Sequence, residues 1–169
     1  MGLRGPGAKP VRGKAVEKPR RKRPRWRRKG LSRAERVIEF IETLTLTAGA
    51  HDGKKFLLRD WQRDIIRKIY DPTDSSGRRL VRTALATMGR KNGKSQLAAG
   101  LALAHLVGPE AEPRGEVYSA ASDRNQASRI FKELEAFILA DDELRACINV
   151  QRFAKRIEVL SGHGAGSTY

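Results

Sequence analysis

The run Thr87-Met88-Gly89-Arg90-Lys91-Asn92-Gly93-Lys94-Ser95 is the part of the chain from which an architecture can be built. Before it, Leu80-Val81-Arg82-Thr83-Ala84-Leu85-Ala86 is short and mostly apolar, the pattern of a buried strand. After it, Gln96 to Leu106 is rich in Ala and Leu, both strong helix formers. A strand, a glycine-bearing turn and a helix opened by Gly93-Lys94-Ser95 together predict a loop that binds phosphate. Glycine lets the backbone fold so that its N–H groups converge on phosphate oxygens, and the helix adds the positive end of its dipole. In such a loop Lys94 reaches the β- and γ-phosphates of a nucleotide, and the Ser95 hydroxyl is a ligand for Mg²⁺. The spacing departs from the commonest form: Met88 stands where the first glycine falls, and Gly89 comes one position late. A structural turn carrying an exposed lysine is the plainer alternative.

The chain has 169 residues, enough for one domain and a tail. Its net charge is +16, unevenly spread: residues 1–30 hold thirteen Lys and Arg against Glu17, a net +12, and the rest is mildly basic. This segment also carries Pro6, Pro10, Pro19 and Pro24. It offers too little apolar surface to offset its ordering entropy, and is expected to be a disordered basic arm. Its charge suits a polyanion, because Arg and Lys displace counterions from phosphates whatever the base sequence. A solvated arm that aids solubility is the alternative. Trp26, within Pro24-Arg25-Trp26-Arg27-Arg28, either stacks on a base or pins the arm to the domain. The single cysteine, Cys147, excludes an internal disulfide and fits helix packing. No segment approaches the length of a membrane span, and the start lacks the apolar core of a signal peptide, so the expected location is cytosolic.

From Leu31 the pattern changes. Ser32 with Glu35 three places on is a capping-box signal, and Val37, Ile38, Ile41, Leu44 and Leu46 mark one face of a helix running to about Thr45. In the loop that follows, His51 has no His or Cys partner at metal spacing and is read as a surface residue. Asp60 is the expected N-cap of a second helix, with Trp61, Ile65, Ile66 and Ile69 on its apolar face. Gln62 lies early in that helix. Its amide can donate and accept at once, as adenine's N7 and N6–H₂ require, although a plain amphipathic helix explains the segment too. Asp71 to Gly77 is turn chemistry.

Beyond a break at Gly108 to Gly115, Glu116-Val117-Tyr118-Ser119-Ala120-Ala121 reads as another strand. Ser122 or Asp123 then caps a long helix with Ile130, Phe131, Leu134, Phe137 and Ile138 on its apolar face. Asp141-Asp142-Glu143 starts a short helix, Arg156 to Leu160 alternates like a strand, and Ser161 to Tyr169 is loop-like. Strands alternating with helices predict an α/β fold, a parallel sheet flanked by helices with right-handed crossovers.

Three segments in order carry a resemblance: Leu58-Arg59-Asp60-Trp61-Gln62, then Gly89 to Ser95, then Val117-Tyr118-Ser119-Ala120-Ala121-Ser122-Asp123-Arg124-Asn125-Gln126-Ala127. Together they resemble the large terminase subunit of tailed bacteriophages, and more narrowly its HK97-like branch; the opening Arg4-Gly5-Pro6-Gly7-Ala8-Lys9-Pro10 is similar to terminase starts as well. The resemblance implies an additional-strand (ASCE-type) P-loop NTPase that uses ATP and Mg²⁺ to thread double-stranded viral DNA into a capsid. A nuclease domain would follow it. It also implies a homo-oligomeric ring in the cytoplasm of the bacterial host, partnered by a portal protein and a small terminase subunit, with no membrane involved. The late glycine is that family's own variant of the loop. By position, Gly89, Arg90, Lys91, Asn92, Gly93, Lys94 and Ser95 would surround the phosphates, with Lys94 and Arg90 acting on the transferred group and Ser95 on Mg²⁺. Gln62 falls at the adenine-recognising glutamine. Arg124 and Arg129 are both candidates to reach a neighbouring subunit's site.

Such a motor also needs an apolar strand ending in Asp, for Mg²⁺, and then Glu, to activate water. No apolar run ending Asp-Glu follows Ser95, and Asp141-Asp142-Glu143 opens a helix instead. Residues 31–169 are therefore expected to be the N-terminal, incomplete part of the ATPase domain, from a truncated or split gene or a partial sequence. The expectation is weak ATP binding without turnover. A helicase-like P-loop ATPase fragment and a non-enzymatic basic DNA-binding protein are the rival readings.

Overall fold

Helix α3 (Lys94–Leu106) is apolar on every side, and such a helix must be surrounded. In the computed structural model, which describes residues 24–169, it packs against α1 (Arg33–Ile41) and α4 (Arg124–Leu139). Leu97, Ala99, Leu103, Ala104 and Leu106 are buried. Gly100 lets α1 approach, since a Cβ there would stand 3.3 Å from Ile41 Cγ2.

Each neighbour presents the face its periodicity predicts. Val37, Ile38, Ile41, Leu44 and Leu46 are all buried, although α1 ends at Ile41 and the chain tightens into i to i−3 bonds at Thr43 and Leu44. On α4, Phe131, Leu134, Phe137 and Ile138 are fully buried and Ile130 is half-buried. Burial of each such side chain is worth about 1.5–3 kcal/mol. Phe137 stacks on Phe56, with centroids 6.0 Å apart. Helix α2 (Asp60–Tyr70) closes the other side of α1, with Ile66 and Tyr70 buried. Its N-cap is Arg59 rather than Asp60.

The expected parallel sheet is not formed among the described residues. Their one sheet is the antiparallel pair β1 (Ile148–Gln151) and β2 (Arg156–Val159), in the register Ile148↔Val159 and Val150↔Ile157. The short helix α5 (Asp142–Cys147), capped by Asp141, leads into it. The last residues, read as loop, extend this sheet: Ile157 and Tyr169 exchange both backbone hydrogen bonds at 2.8 Å. Thr168 then forms a parallel bridge to Glu116, so the expected strand at 116–121 pairs only at its start, and Tyr118 is 81% exposed.

The expected strand at 80–86 joins no sheet among the described residues, and Leu85 is 95% exposed. A parallel strand is stable when neighbours satisfy its amides on both edges and helices cover both faces. Here α2 flanks this segment across a 410 Å³ groove, between Trp61, Ile65 and Ile69 on one side and Val81, Ala84 and Met88 on the other.

Residues 1–23 of the predicted arm lie outside the described residues. The remainder packs on α1. A 3-10 turn at Arg25–Arg27 sets Trp26 edge-on against Phe40, centroids 5.8 Å apart, with the Arg27 guanidinium 4.7 Å above the indole. Of the two roles open to Trp26, the structure shows the pin.

Far from Lys94, a polar cluster ties three helices together. Arg33 grips the Glu110 carboxylate through Nε at 2.8 Å and Nη2 at 2.7 Å, and Tyr70 Oη meets His105 Nε2 at 2.9 Å. Arg79 lies 5.2 Å over the Tyr70 ring, fastening the connection that leads to residue 80.

Candidate nucleotide-binding loop

The turn before α3 is shaped by two residues in the left-handed region: Lys91 at φ +64° and Gly93 at φ +72°. Glycine takes that conformation freely, whereas lysine pays about 1–2 kcal/mol for it. Strain of this kind persists where the surroundings enforce it, and it gathers at functional sites. Alternating backbone handedness turns successive N–H groups to one side and makes a concave nest for an anion. Ser32, Asp123 and Asp141 cap α1, α4 and α5 with side-chain oxygens, but α3 opens on Gly93 with no capping side chain. Its first amides keep their positive end for something else.

Lys94 folds back over the turn. Its Nζ donates to Met88 O at 2.9 Å and Gly89 O at 3.2 Å, while Asn92 Nδ2 reaches Gly89 O at 3.5 Å. The ammonium therefore rests on two neutral carbonyls of the turn, which a more basic acceptor can replace. Gly89, Arg90 and Lys91 are exposed, and Asn92, Gly93 and Ser95 half-buried. Among the described residues no group of His, Cys, Asp or Glu could hold a metal ion.

Gln62 comes to this loop from α2 and is 3% exposed. Its Oε1 accepts the Arg59 N–H at 2.9 Å, which caps α2 and fixes the amide. Its Nε2 then lies 3.8 Å from where a Cβ on Gly93 would stand. Behind it, the Glu42 carboxylate holds the Leu58 N–H at 3.1 Å and pairs with Arg63, bracing the turn that starts α2.

One further side chain that pattern reading passed over reaches the loop: Gln96, in the first turn of α3, has its Oε1 3.8 Å from the same Gly93 point. On α4, burial pushes the Glu133 carboxyl above its ordinary range, and the Gln96 side chain opposes that shift. The only signal for Gln96 was its place beside Ser95; Glu133 had none. Of the two candidate arginines, Arg124 begins α4 and Arg129 is exposed further along it. His51 is exposed, as expected of a surface residue.

Comparison with known proteins gives concordant results. The family described as terminase large subunit, ATPase domain, matches residues 60–158. The large terminase subunit of Enterobacteria phage HK97 is 34% identical over 128 residues, covering 75% of this chain and 24% of that protein. The crystal structure of the HK97 bacteriophage large terminase superposes with a TM-score of 0.70 at 32% identity, covering 82% of this chain and 27% of that one. The chain therefore spans about a quarter of the length of these relatives.

Proposed function

The chain belongs to the terminase large subunit family through its ATPase domain, and from that premise we propose that residues 87–96 are the triphosphate grip of a DNA-packaging motor. The observation that carries this reading is the arrangement at α3: a nest bent by Lys91 and Gly93, an uncapped helix start, and Lys94 Nζ resting on Met88 O and Gly89 O. In this reading Lys94 exchanges those carbonyls for β- and γ-phosphate oxygens, a charge-assisted contact stronger than the one it gives up. Exposed Arg90 faces the terminal phosphate, and Gln62 lies towards the base. Magnesium bound with the triphosphate neutralises phosphate charge, and Ser95 offers it one oxygen.

The finer architecture belongs to the same reading. Residues 80–86 and 116–121 are strands of a P-loop parallel sheet that pair when further strands are supplied. Double-stranded viral DNA, a portal protein, a small subunit and a ring of like subunits in the host cytoplasm are the partners and setting that the family suggests. Among the described residues no helix is long and apolar enough to cross a membrane.

Calorimetric titration with ATP and Mg²⁺ tests the grip. The 169-residue chain should bind, and Lys94→Ala should weaken binding by at least about tenfold, the loss of one charge-assisted anchor. Affinity unaffected by Lys94→Ala overturns the reading. Turnover should be absent from the same samples. Hydrolysis needs a positioned carboxylate as base and another for the metal, and no apolar strand ending Asp-Glu follows Ser95. Mg²⁺-dependent phosphate release that disappears in Lys94→Ala would contradict this.

A further inference from the structure

Four cations meet at a place remote from Lys94. Trp26, Arg27, Arg28, Lys29, Arg36 and Pro109 line a 210 Å³ pocket. Pro109 lies just past the C-terminal end of α3, and Lys94 opens that helix, so its 13 residues, about 20 Å of helix, separate the two places. Folding fixes the pocket. Trp26 is held edge-on against Phe40 at 5.8 Å, and the turn that carries it is closed by the Arg28 N–H on Arg25 O at 3.1 Å. Gly30, at φ +85°, then swings the chain into α1, which Ser32 caps. Arg27, Arg28 and Lys29 are thereby held between a pinned indole and a capped helix, and Arg36 of that helix lines the same pocket.

All four cations are exposed, and none forms an ion pair with a described carboxylate. Glu110, next to Pro109, is already gripped by Arg33 through Nε and Nη2. Like charges around one pocket repel, and an entering anion relieves that repulsion. We propose that this pocket is a phosphate site separate from the nucleotide loop, taken by a phosphodiester of the backbone of duplex DNA. Guanidinium forks and an ammonium suit phosphate oxygens, and such a contact carries no base information. Two features favour a phosphate within a chain over a free ion. Trp26 and Pro109 give the pocket apolar walls against which the carbons of a sugar can lie. Residues 1–23, with nine Lys and Arg against Glu17, run directly into Pro24, so the pocket continues a charge that suits a polyanion. The site sets where a duplex crosses the domain, beside α1 and the end of α3, whether or not residues 87–96 hold a nucleotide.

The experiment follows binding of short duplex DNA to the 169-residue chain by fluorescence anisotropy across a salt series. Arg36→Gln, Arg36→Lys and Lys54→Gln are measured alongside the parent, each checked for native helix content. Arg36 is the decisive position, because it belongs to α1 and not to the arm. Arg36→Gln should lower the slope of log affinity against log salt by about 0.9 and weaken binding by about five- to tenfold at about 0.1 M salt. Arg36→Lys keeps the charge and should keep the slope. Lys54→Gln removes an equal charge from an exposed loop and should match the parent. Acetylation read by mass spectrometry adds a local readout: bound duplex should protect Lys29 and leave Lys54 reactive, and Arg36→Gln should reduce that protection. Inorganic pyrophosphate, titrated by calorimetry into Lys94→Ala so that the nucleotide loop does not contribute, should bind at least about tenfold more weakly than the duplex, having no neighbouring phosphates to engage.

An Arg36→Gln slope equal to the parent's, an equal loss in Lys54→Gln, or Lys29 left unprotected overturns the proposal, each the mark of charge acting diffusely. A slope lost in Arg36→Lys as well overturns it by showing a structural role. Pyrophosphate bound as tightly as the duplex overturns it in favour of a free-anion site. None of these outcomes bears on ATP binding that depends on Lys94, so this inference and the nucleotide reading fail separately.

Discussion

His105 closes α3 as Lys94 opens it, and it shows how one buried group makes stability depend on pH. Its Nε2 pairs with Tyr70 Oη at 2.9 Å. Burial holds the imidazole below its usual 6.5; Glu110 pulls the other way, as does Glu112 more weakly, while Arg79 and Arg33 add to the depression. Burial likewise pushes the Tyr70 phenol up to about 12, so that side chain stays neutral at pH 7. A histidine depressed in the folded state binds its proton more readily when unfolded. The stabilisation is therefore complete above about pH 6.5 and is lost as the pH falls from there through the lower folded value. Urea unfolding between about pH 5 and pH 8 should show the midpoint dropping on the acid side, and His105→Gln should flatten that limb. An acid limb unchanged in His105→Gln would place its cause elsewhere. At this scale the glycine-bearing turn that opens α3 at Gly93 was legible, because a loop motif is local chemistry. Gln96 and Glu133 were not: their meaning is a contact between α3 and α4, 37 positions apart in the chain, and no local pattern encodes it.

At the scale of elements, residues 80–88 present a liability that follows from lying outside the sheet with Leu80 and Leu85 exposed. Leu80 donates its N–H to Pro72 O, and beyond it the segment runs exposed past Leu85 to the carbonyl of Met88. Unpaired strand edges with apolar side chains recruit other chains, and a lysine on the edge suppresses this. Leu85 is 95% exposed, so Leu85→Lys removes nothing from the core. Light scattering across a concentration series should show self-association in the parent and clear suppression in Leu85→Lys, with the thermal midpoint shifted by less than about 0.5 kcal/mol in equivalent stability. Equal association in both would show that the edge is not sticky. The same segment explains why helices were read well and strands poorly. A helix satisfies its own backbone, so the apolar faces of α1 and α4 could be taken from spacing alone. A strand is a property of a pair. Leu80 to Ala86 has the composition of one, yet it joins no sheet among the described residues; Ser161 to Tyr169 has the composition of a loop, yet Tyr169 pairs with Ile157.

At the scale of the whole molecule the dominant quantity is charge. The chain carries +16, and residues 1–23 alone hold nine Lys and Arg against Glu17, a net +8. The packing of Trp26 on Phe40 decides where a truncation should fall. A cut at residue 30 would remove a side chain that lines a 680 Å³ cavity with Phe40, Val107 and Leu144, mixing a packing defect with a charge effect. A cut after Arg23 changes charge and spares the pin. Each arm cation that neutralises a DNA phosphate contributes about 0.9 to the slope of log affinity against log salt. Duplex DNA binding measured across a salt series should therefore be tight and steep in the parent, and weak and shallow without residues 1–23, by roughly six units of slope if most of the nine cations engage. Changing the base sequence should leave both curves in place, because phosphate contacts carry no sequence information. On the proposed function, which gives the loop to a nucleotide, Lys94→Ala should also leave them in place. If the truncated chain keeps the parent's slope, the contact lies on the folded part. Arg25, Arg27, Arg28 and Lys29, all exposed, are then the group to replace next.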